Sequence, residues 1–156
     1  MDRILTWMEN SALAGMIVVN IWVFPTLETL HFIGLILLMG SLLVIDLRYI
    51  GFAPRIPLNA VLGLLPVSLI GFAINLTTGI LFLFSDPNHY YPNLSFRLKM
   101  LAVLLAGLNA VWFKLSLKLD SPPVDNPRML VRFIAGLSLL LWTSVIVFGR
   151  MIPYLK

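Results

Sequence analysis

The stretch that decides the fold is residues 25–46, PTLETLHFIGLILLMGSLLVID, in which Glu28 and His31 are the ionisable side chains before Asp46. A segment of this length crosses the ~30 Å hydrocarbon core of a bilayer as an α-helix, at ~1.5 Å per residue. Its apolar residues are not confined to one face, a pattern typical of a helix surrounded by lipid. We predict a transmembrane helix that begins at Pro25, a favourable residue for the first helical turn.

Three further stretches have the same character. Of the 156 residues, 60% are hydrophobic and 12% are charged, about half the charged fraction of a soluble domain. A chain this short has too little volume to bury four apolar helices in its own core. We therefore predict an all-α, transmembrane antiparallel four-helix bundle with short loops. The predicted single domain covers residues 1–156, with spans at about 25–46, 58–84, 94–117 and 127–150.

The segment before the first span is apolar but short. Ser11–Phe24 amounts to about 14 residues, fewer than the ~20 that a span requires. We predict an N-terminal interfacial helix at about residues 8–22, with Trp7 and Trp22 near the lipid headgroups. The alternative is that this segment extends the first span.

Basic residues are distributed slightly unevenly between the two ends of the bundle. The end formed by loops one and three has Arg48, Arg55, Lys114, Lys118, Arg128 and Arg132. The other end has Arg3, Arg97, Lys99, Arg150 and Lys156. This bias predicts loops one and three inside and both termini on the extracytoplasmic side. Because the basic residues adjoin the spans, the net charge of +4 indicates topology, and we expect no nucleic-acid partner.

All four predicted helices place polar side chains at one level of the extracytoplasmic half. Polar groups inside a bilayer are costly, so each requires a partner or a function. The helical rise places His31 ~9 Å deep, one turn below Glu28, with Thr78 of the second span at the same depth. The complete group comprises Glu28, His31, Asn75, Thr77, Thr78, Arg97, Lys99, Trp142 and Arg150.

His31 is the one histidine in a predicted span. A neutral imidazole in lipid can ligate haem iron or another metal, relay a proton or hydrogen-bond a neighbouring helix. Glu28 could orient the ring, as carboxylates do behind ligating histidines. Lys99 and Arg150 could pair with Glu28 or with haem propionates. In the simpler interpretation, Glu28 pairs with Lys99 or Arg150, and His31 only joins helices.

Other residues in the spans have structural and functional interpretations. Small residues let membrane helices approach closely and also leave room for a flat macrocycle; they are Gly34, Gly40, Ser41, Gly71, Gly79, Ala102, Ala106, Gly107 and Gly136. Met100 or Met151 could be a sixth ligand to haem. We expect Asp46 and Arg48 to form a structural rim of ion pairs at the inner end, and Asn109 to hydrogen-bond a neighbouring helix.

Short motifs occur along nearly the whole chain, at residues 28–34 (ETLHFIG), 46–51 (DLRYIG), 78–79 (TG), 91–99 (YPNLSFRLK) and 106–110 (AGLNA). In these motifs the chain resembles a family of small bacterial integral membrane proteins with four helices and no assigned function. The resemblance implies a multi-pass protein of the bacterial inner (cytoplasmic) membrane.

The layout is also distantly similar to the membrane-embedded protoporphyrinogen oxidases of bacteria and to copper-resistance membrane domains. Both groups begin with a helix that carries a histidine followed by small residues, and the oxidases bind haem b and have a lysine early in a later helix. His31 and Lys99 match those positions. Where the oxidases have a further histidine, this chain has Asn109. The resemblance therefore implies that this chain binds haem b with His31 as a ligand and lacks the second histidine ligand of the oxidases.

Three functional hypotheses follow. In the first, the protein binds haem b for electron transfer or redox chemistry with a quinone or a periplasmic partner. His31 would be the metal ligand, and the cofactor-binding residues would be His31, Glu28, Thr78, Lys99, Trp142 and Arg150. In the second, a homo-oligomer transports a metal ion or small solute past these side chains. In the third, the protein is an accessory subunit of a larger membrane complex. The absence of cysteine excludes a thiolate metal site in each.

Overall fold

The structure, a computed structural model, describes residues 2–119 and 127–155. Its helices are α1 (Asp2–Glu9), α2 (Ala12–Val19), α3 (Val23–Ile50), α4 (Leu58–Leu62), α5 (Leu65–Ser85), α6 (Pro87–Tyr90), α7 (Leu94–Leu119) and α8 (Met129–Met151). These ranges contain no strand, so the predicted all-α fold is confirmed. Most of the predicted third loop, residues 120–126, lies outside the described residues.

Four segments are long and apolar enough to cross a membrane, and they agree with the predicted spans. They are Val23–Ile50, Leu58–Ser85, Leu94–Leu117 and Met129–Met151. The second contains both α4 and α5, with a break at Gly63 and Leu64. Pro66 follows this break in the first turn of α5, where its missing N–H removes no helical hydrogen bond. The chain is therefore a membrane protein.

The N-terminal segment forms two helices where one was predicted. Ser11 separates them, because its Oγ accepts a hydrogen bond from the Ala14 N–H at 3.2 Å and so caps α2. A turn at residues 20–22 then separates α2 from α3, so the segment is not an extension of the first span. α1 and α2 pack on the end of α5, where Trp7 meets Phe84 edge to face at 6.1 Å.

The spanning helices pack in the order α5, α3, α8, α7. α3 contacts both α5 and α8, and α7 contacts α8, whereas α5 and α7 make no comparably close contact. The connections make each neighbouring pair antiparallel. α3 and α7 begin, and α5 and α8 end, at the same end of the bundle, which we name the terminal end. The opposite end is the loop end.

Two apolar clusters fill the bundle. Towards the loop end, the buried residues are Ile45, Tyr49, Val61, Phe113, Val131, Ile134 and Ala135. Nearer the middle, they are Leu38, Ala102, Ala106, Trp142 and Val145. Many other large apolar side chains, such as Ile36 and Leu140, are exposed on the helices, as expected for a surface that faces lipid.

Candidate functional site

His31 and Thr78 meet across the contact between α3 and α5. The His31 Nδ1 atom lies 2.7 Å from Thr78 Oγ1. The same hydroxyl donates its hydrogen to the Ile74 carbonyl at 2.7 Å, a common bond of threonine in helices. A hydroxyl has one hydrogen to donate, so Thr78 accepts from His31, and Nδ1 carries a hydrogen. In the neutral ring, Nε2 is then the nitrogen with a free lone pair.

Two glycines one to two turns away allow this hydrogen bond to form. A Cβ atom on Gly34 would lie 2.7 Å from Asn75 Nδ2, and one on Gly71 would lie 2.5 Å from the backbone nitrogen of Leu38. The two backbones therefore approach as closely as small residues permit. This close approach brings the short Thr78 side chain within reach of His31.

Aromatic rings cover His31 on the side of the terminal end. Phe82 lies one turn after Thr78 on α5, and its ring meets the imidazole edge to face with centroids 5.6 Å apart. The Phe24 ring on α3 packs against the Phe82 ring in turn, with the two centroids 5.4 Å apart. Because Thr78 and these rings hold the imidazole from two sides, its orientation is fixed by the packing of α3 on α5.

Lys99 reaches the same region from α7. Its ammonium is near enough to the imidazole for the two groups to interact electrostatically, and its side chain lies along α8, where a Cβ atom on Gly149 would be 3.4 Å from Nζ. The described residues give the ammonium no hydrogen-bond acceptor and no carboxylate partner. A half-buried cation without a counter-ion in a membrane span favours an anionic group beside it. We name His31, Thr78 and Lys99 the His31 site.

Glu28 and Arg150 lie at the edge of the terminal end and outside the His31 site. Both side chains are exposed, and the Arg150 guanidinium lies 5.9 Å from the centre of the Tyr154 ring. Neither forms the expected ion pair, whether with the other or with Lys99, within the described part of the chain. The helical spacing placed Glu28 near His31 correctly along α3, but the carboxylate extends into the surroundings.

Tyr90 is a residue of this edge that the sequence reasoning missed. It is half-buried, and its ring packs 5.8 Å from that of Phe96. Burial raises the pKa of Tyr90 above its ordinary value, and the negative charges of Asp86 and Glu28 raise it further. Tyr90 therefore remains a neutral hydrogen-bond donor at the terminal end of the bundle. The sequence did offer a signal: Tyr90 and Tyr91 form an aromatic pair between two spans, where tyrosine is common at the membrane interface.

Trp142 lies beneath the His31 site. Its side chain is 7% exposed and packs edge to face with Phe72 at 6.1 Å, so it forms part of the apolar floor between α3, α7 and α8. The two methionines considered as haem ligands, Met100 and Met151, are 46% and 39% exposed. They are surface residues of α7 and α8.

The His31 site can offer one nitrogen ligand and one cation. Residues 2–119 and 127–155 contain no group of three or more histidine, aspartate or glutamate side chains that could hold a metal ion. A bare transition metal would therefore lack a ligand set of the usual size. Haem iron needs only axial ligands from the protein, because the macrocycle supplies four nitrogens.

Comparisons with known proteins identify the family of the chain. Neither the curated proteins nor the solved structures gave a match. The distant similarity to protoporphyrinogen oxidases and copper-resistance domains therefore stays a prediction. A family model matches residues 4–155, nearly the whole chain, and it agrees with the predicted membership of a family without an assigned function. The chain belongs to the DUF6644 family, a family of unknown function.

Proposed function

We propose that this protein binds b-type haem within the membrane, with His31 Nε2 as an axial ligand, for electron transfer or redox chemistry. The observation that carries the proposal is the hydrogen bond between His31 and Thr78. Ligating imidazoles usually donate their second N–H to an oxygen, which fixes the tautomer and the ring orientation. Here the Thr78 hydroxyl oxygen accepts the hydrogen bond from Nδ1, and Nε2 is left to bind iron.

The proposed position for the macrocycle is the side of the bundle between α5 and α7. These two helices make no close contact, and they carry two residues of the His31 site, Thr78 on α5 and Lys99 on α7. Next to Thr78, a Cβ atom on Gly79 would have no other atom within 4 Å, which supports open space there. When bound, haem would supply a one-electron redox centre, and Lys99 would attract a propionate by charge.

We further infer that the terminal end faces the extracytoplasmic side of a bacterial inner membrane. The support is the basic residues at the loop end, which by the positive-inside rule face the cytoplasm. In this orientation, the His31 site lies in the outer half of the bilayer. A quinone or a periplasmic protein is then the natural electron-transfer partner.

Spectroscopy of the purified protein tests the proposal. The full chain is expressed with a supply of haem and extracted in mild detergent, and a reduced-minus-oxidised spectrum and a pyridine haemochrome assay measure bound haem. We expect an α-band and up to one haem per chain. His31→Ala should lose the band, whereas His89→Ala, which removes the exposed histidine, should retain it. A wild-type protein without extractable haem would end the proposal.

A structural role is the second candidate, and the same hydrogen bond favours it. Because the bond already joins α3 to α5, His31 could serve only to hold helices together in an accessory subunit of a membrane complex. In that case the wild-type protein contains no haem, and His31→Ala weakens folding or assembly without any spectral change. The two candidates therefore differ in the first measurement.

A further inference from the structure

A second polar cluster is buried between α3, α7 and α8, on the loop side of Trp142. Its side chains are Asp46, Asn109 and Ser138, which are 3%, 5% and 8% exposed. Asp46 was expected in a rim of ion pairs, but in the structure it is buried, with Ser138 of α8 beside its carboxyl group. Asn109 forms the expected bond between helices, since its Nδ2 donates to the Ile134 carbonyl at 3.1 Å.

These contacts meet on a single turn of α8. In an α-helix, the side chain of residue i+4 lies beside the carbonyl of residue i, which is why serine can bond to that carbonyl. Ser138 lies one turn after Ile134 on α8. Asp46 reaches this turn from α3 and Asn109 reaches it from α7, so we name Asp46, Asn109, Ser138 and the Ile134 carbonyl the Asp46 cluster.

The Asp46 cluster contains two buried oxygen atoms without a partner. Asp46 Oδ2 and Asn109 Oδ1 have no hydrogen-bond donor among the described residues. A carboxylate oxygen and an amide oxygen are both acceptors. Leaving either one buried and unpaired is unfavourable, and a membrane span offers no water as a substitute. Two such atoms on the same small cluster form a site suited to a hydrogen-bond donor or a cation.

The neighbouring cationic side chains do not bond to these two oxygen atoms. Arg48, two residues after Asp46, donates its Nε–H to the Ile56 carbonyl at 2.7 Å, towards the turn that follows α3. Lys114 on α7 and Arg132 on α8 are exposed. The Asp46 carboxyl group instead lies beside the Ser138 hydroxyl.

We propose that the Asp46 cluster binds an alkali-metal cation such as Na⁺. Carboxylate, amide and hydroxyl oxygens are ligands that suit hard cations. A proton on Asp46 would serve that oxygen and at most one acceptor beside it, whereas a metal ion contacts several acceptors at once. The cluster has a single carboxylate, so a monovalent ion neutralises it and leaves no net charge in the membrane. The bound ion would join α3, α7 and α8, independently of any haem.

Thermal unfolding in matched salts tests this site. The purified full chain is heated in detergent in NaCl, KCl or choline chloride at equal ionic strength, and unfolding is followed by circular dichroism. Binding to the folded state should raise the midpoint saturably with Na⁺, by ~5 °C or more at saturation. Asp46→Asn should abolish the dependence on Na⁺, and the matched control Asp86→Asn, on an exposed carboxylate, should keep it.

The outcomes distinguish a bound metal cation from a bound proton. If the wild-type midpoint depends on pH but is equal in Na⁺ and choline, Asp46 binds a proton only and the proposal is wrong. An Asp46→Asn protein that still responds to Na⁺ would also overturn it. Should Asp46→Asn fail to fold, Ser138→Ala, which removes one oxygen ligand, must weaken the apparent Na⁺ affinity at least several-fold, and an unchanged affinity contradicts the site.

Discussion

The two halves of the bundle bury polar groups in opposite ways. In the terminal half, His31 and Lys99 are half-buried, and α5 and α7 make no close contact there. In the loop half, the side chains of the Asp46 cluster are buried, and α8 packs against both α3 and α7 there. The proposed haem would approach the first group from the side, whereas the proposed ligand of the second is a small ion. Burial and helix packing therefore determine what size of ligand each group of polar residues can bind.

Gly71→Ala should have the largest effect of the changes that disturb only one half. The added Cβ would lie 2.5 Å from the Leu38 backbone nitrogen, so α3 and α5 must separate, at a cost of ~1–3 kcal/mol. We expect a lower unfolding midpoint in detergent and, through loss of the bond between His31 and Thr78, weaker haem binding. Gly79→Ala is the matched control, since its Cβ meets no atom within 4 Å. Equal midpoints for the two variants would contradict the close approach of the helices.

Thr78→Val should have a smaller effect on the same half. The variant keeps the shape of the side chain but removes the acceptor for His31 Nδ1, which costs ~1 kcal/mol of stability. It should also shift the redox potential of bound haem, because the hydrogen bond to the ligating imidazole is lost. Thr77→Val is the control: Thr77 makes the same bond to its own helix, with Ala73 at 2.9 Å, but is exposed. A similar loss for both variants would show that the bond between helices contributes nothing.

Lys99→Met should move stability and haem binding in opposite directions. Removing an unpaired, half-buried charge should stabilise the protein without haem by ~1 kcal/mol. Loss of the cation beside a propionate should weaken haem binding by about tenfold. Haem titration and thermal unfolding measure the two quantities, with Lys114→Met, an exposed lysine of the same helix, as control. Unchanged haem affinity would remove Lys99 from the proposed binding site.

The sequence was sufficient to predict the helices and the depth of the polar residues. Long apolar runs require helices in lipid, and a constant rise per residue placed His31 and Thr78 at one level before their 2.7 Å contact was known. The break at Ser11 was missed because the apolar pattern continues on both sides of it. Serine is nevertheless a common N-cap, and this was the local signal.

The sequence could not determine which way the polar side chains point. Glu28 and Arg150 lie at the predicted level but are exposed, because residues at helix ends can extend long side chains away from the bundle. Asp46 was assigned to a rim, yet it is buried against Ser138. Its surroundings depend on how α3 and α8 are rotated against each other, and apolar sequences in lipid carry little periodic signal of rotation.

The smallest expected effect concerns the edge that separates the His31 site from the surroundings. Asp86 and Glu28 raise the pKa of Tyr90, so Asp86→Asn and Glu28→Gln should each lower it, with the larger change for Asp86. The pKa of Tyr90 in the folded protein exceeds its ordinary value, so the unfolded chain releases the phenol proton at a lower pH. The free energy of unfolding should therefore decrease as the pH rises from the ordinary pKa of tyrosine to the pKa of Tyr90 in the folded protein. Tyrosinate absorbance, with Tyr90→Phe to identify the transition, measures the pKa. Glu9→Gln is the control, and a shift of equal size in that variant would contradict a local effect of Asp86 and Glu28 on Tyr90.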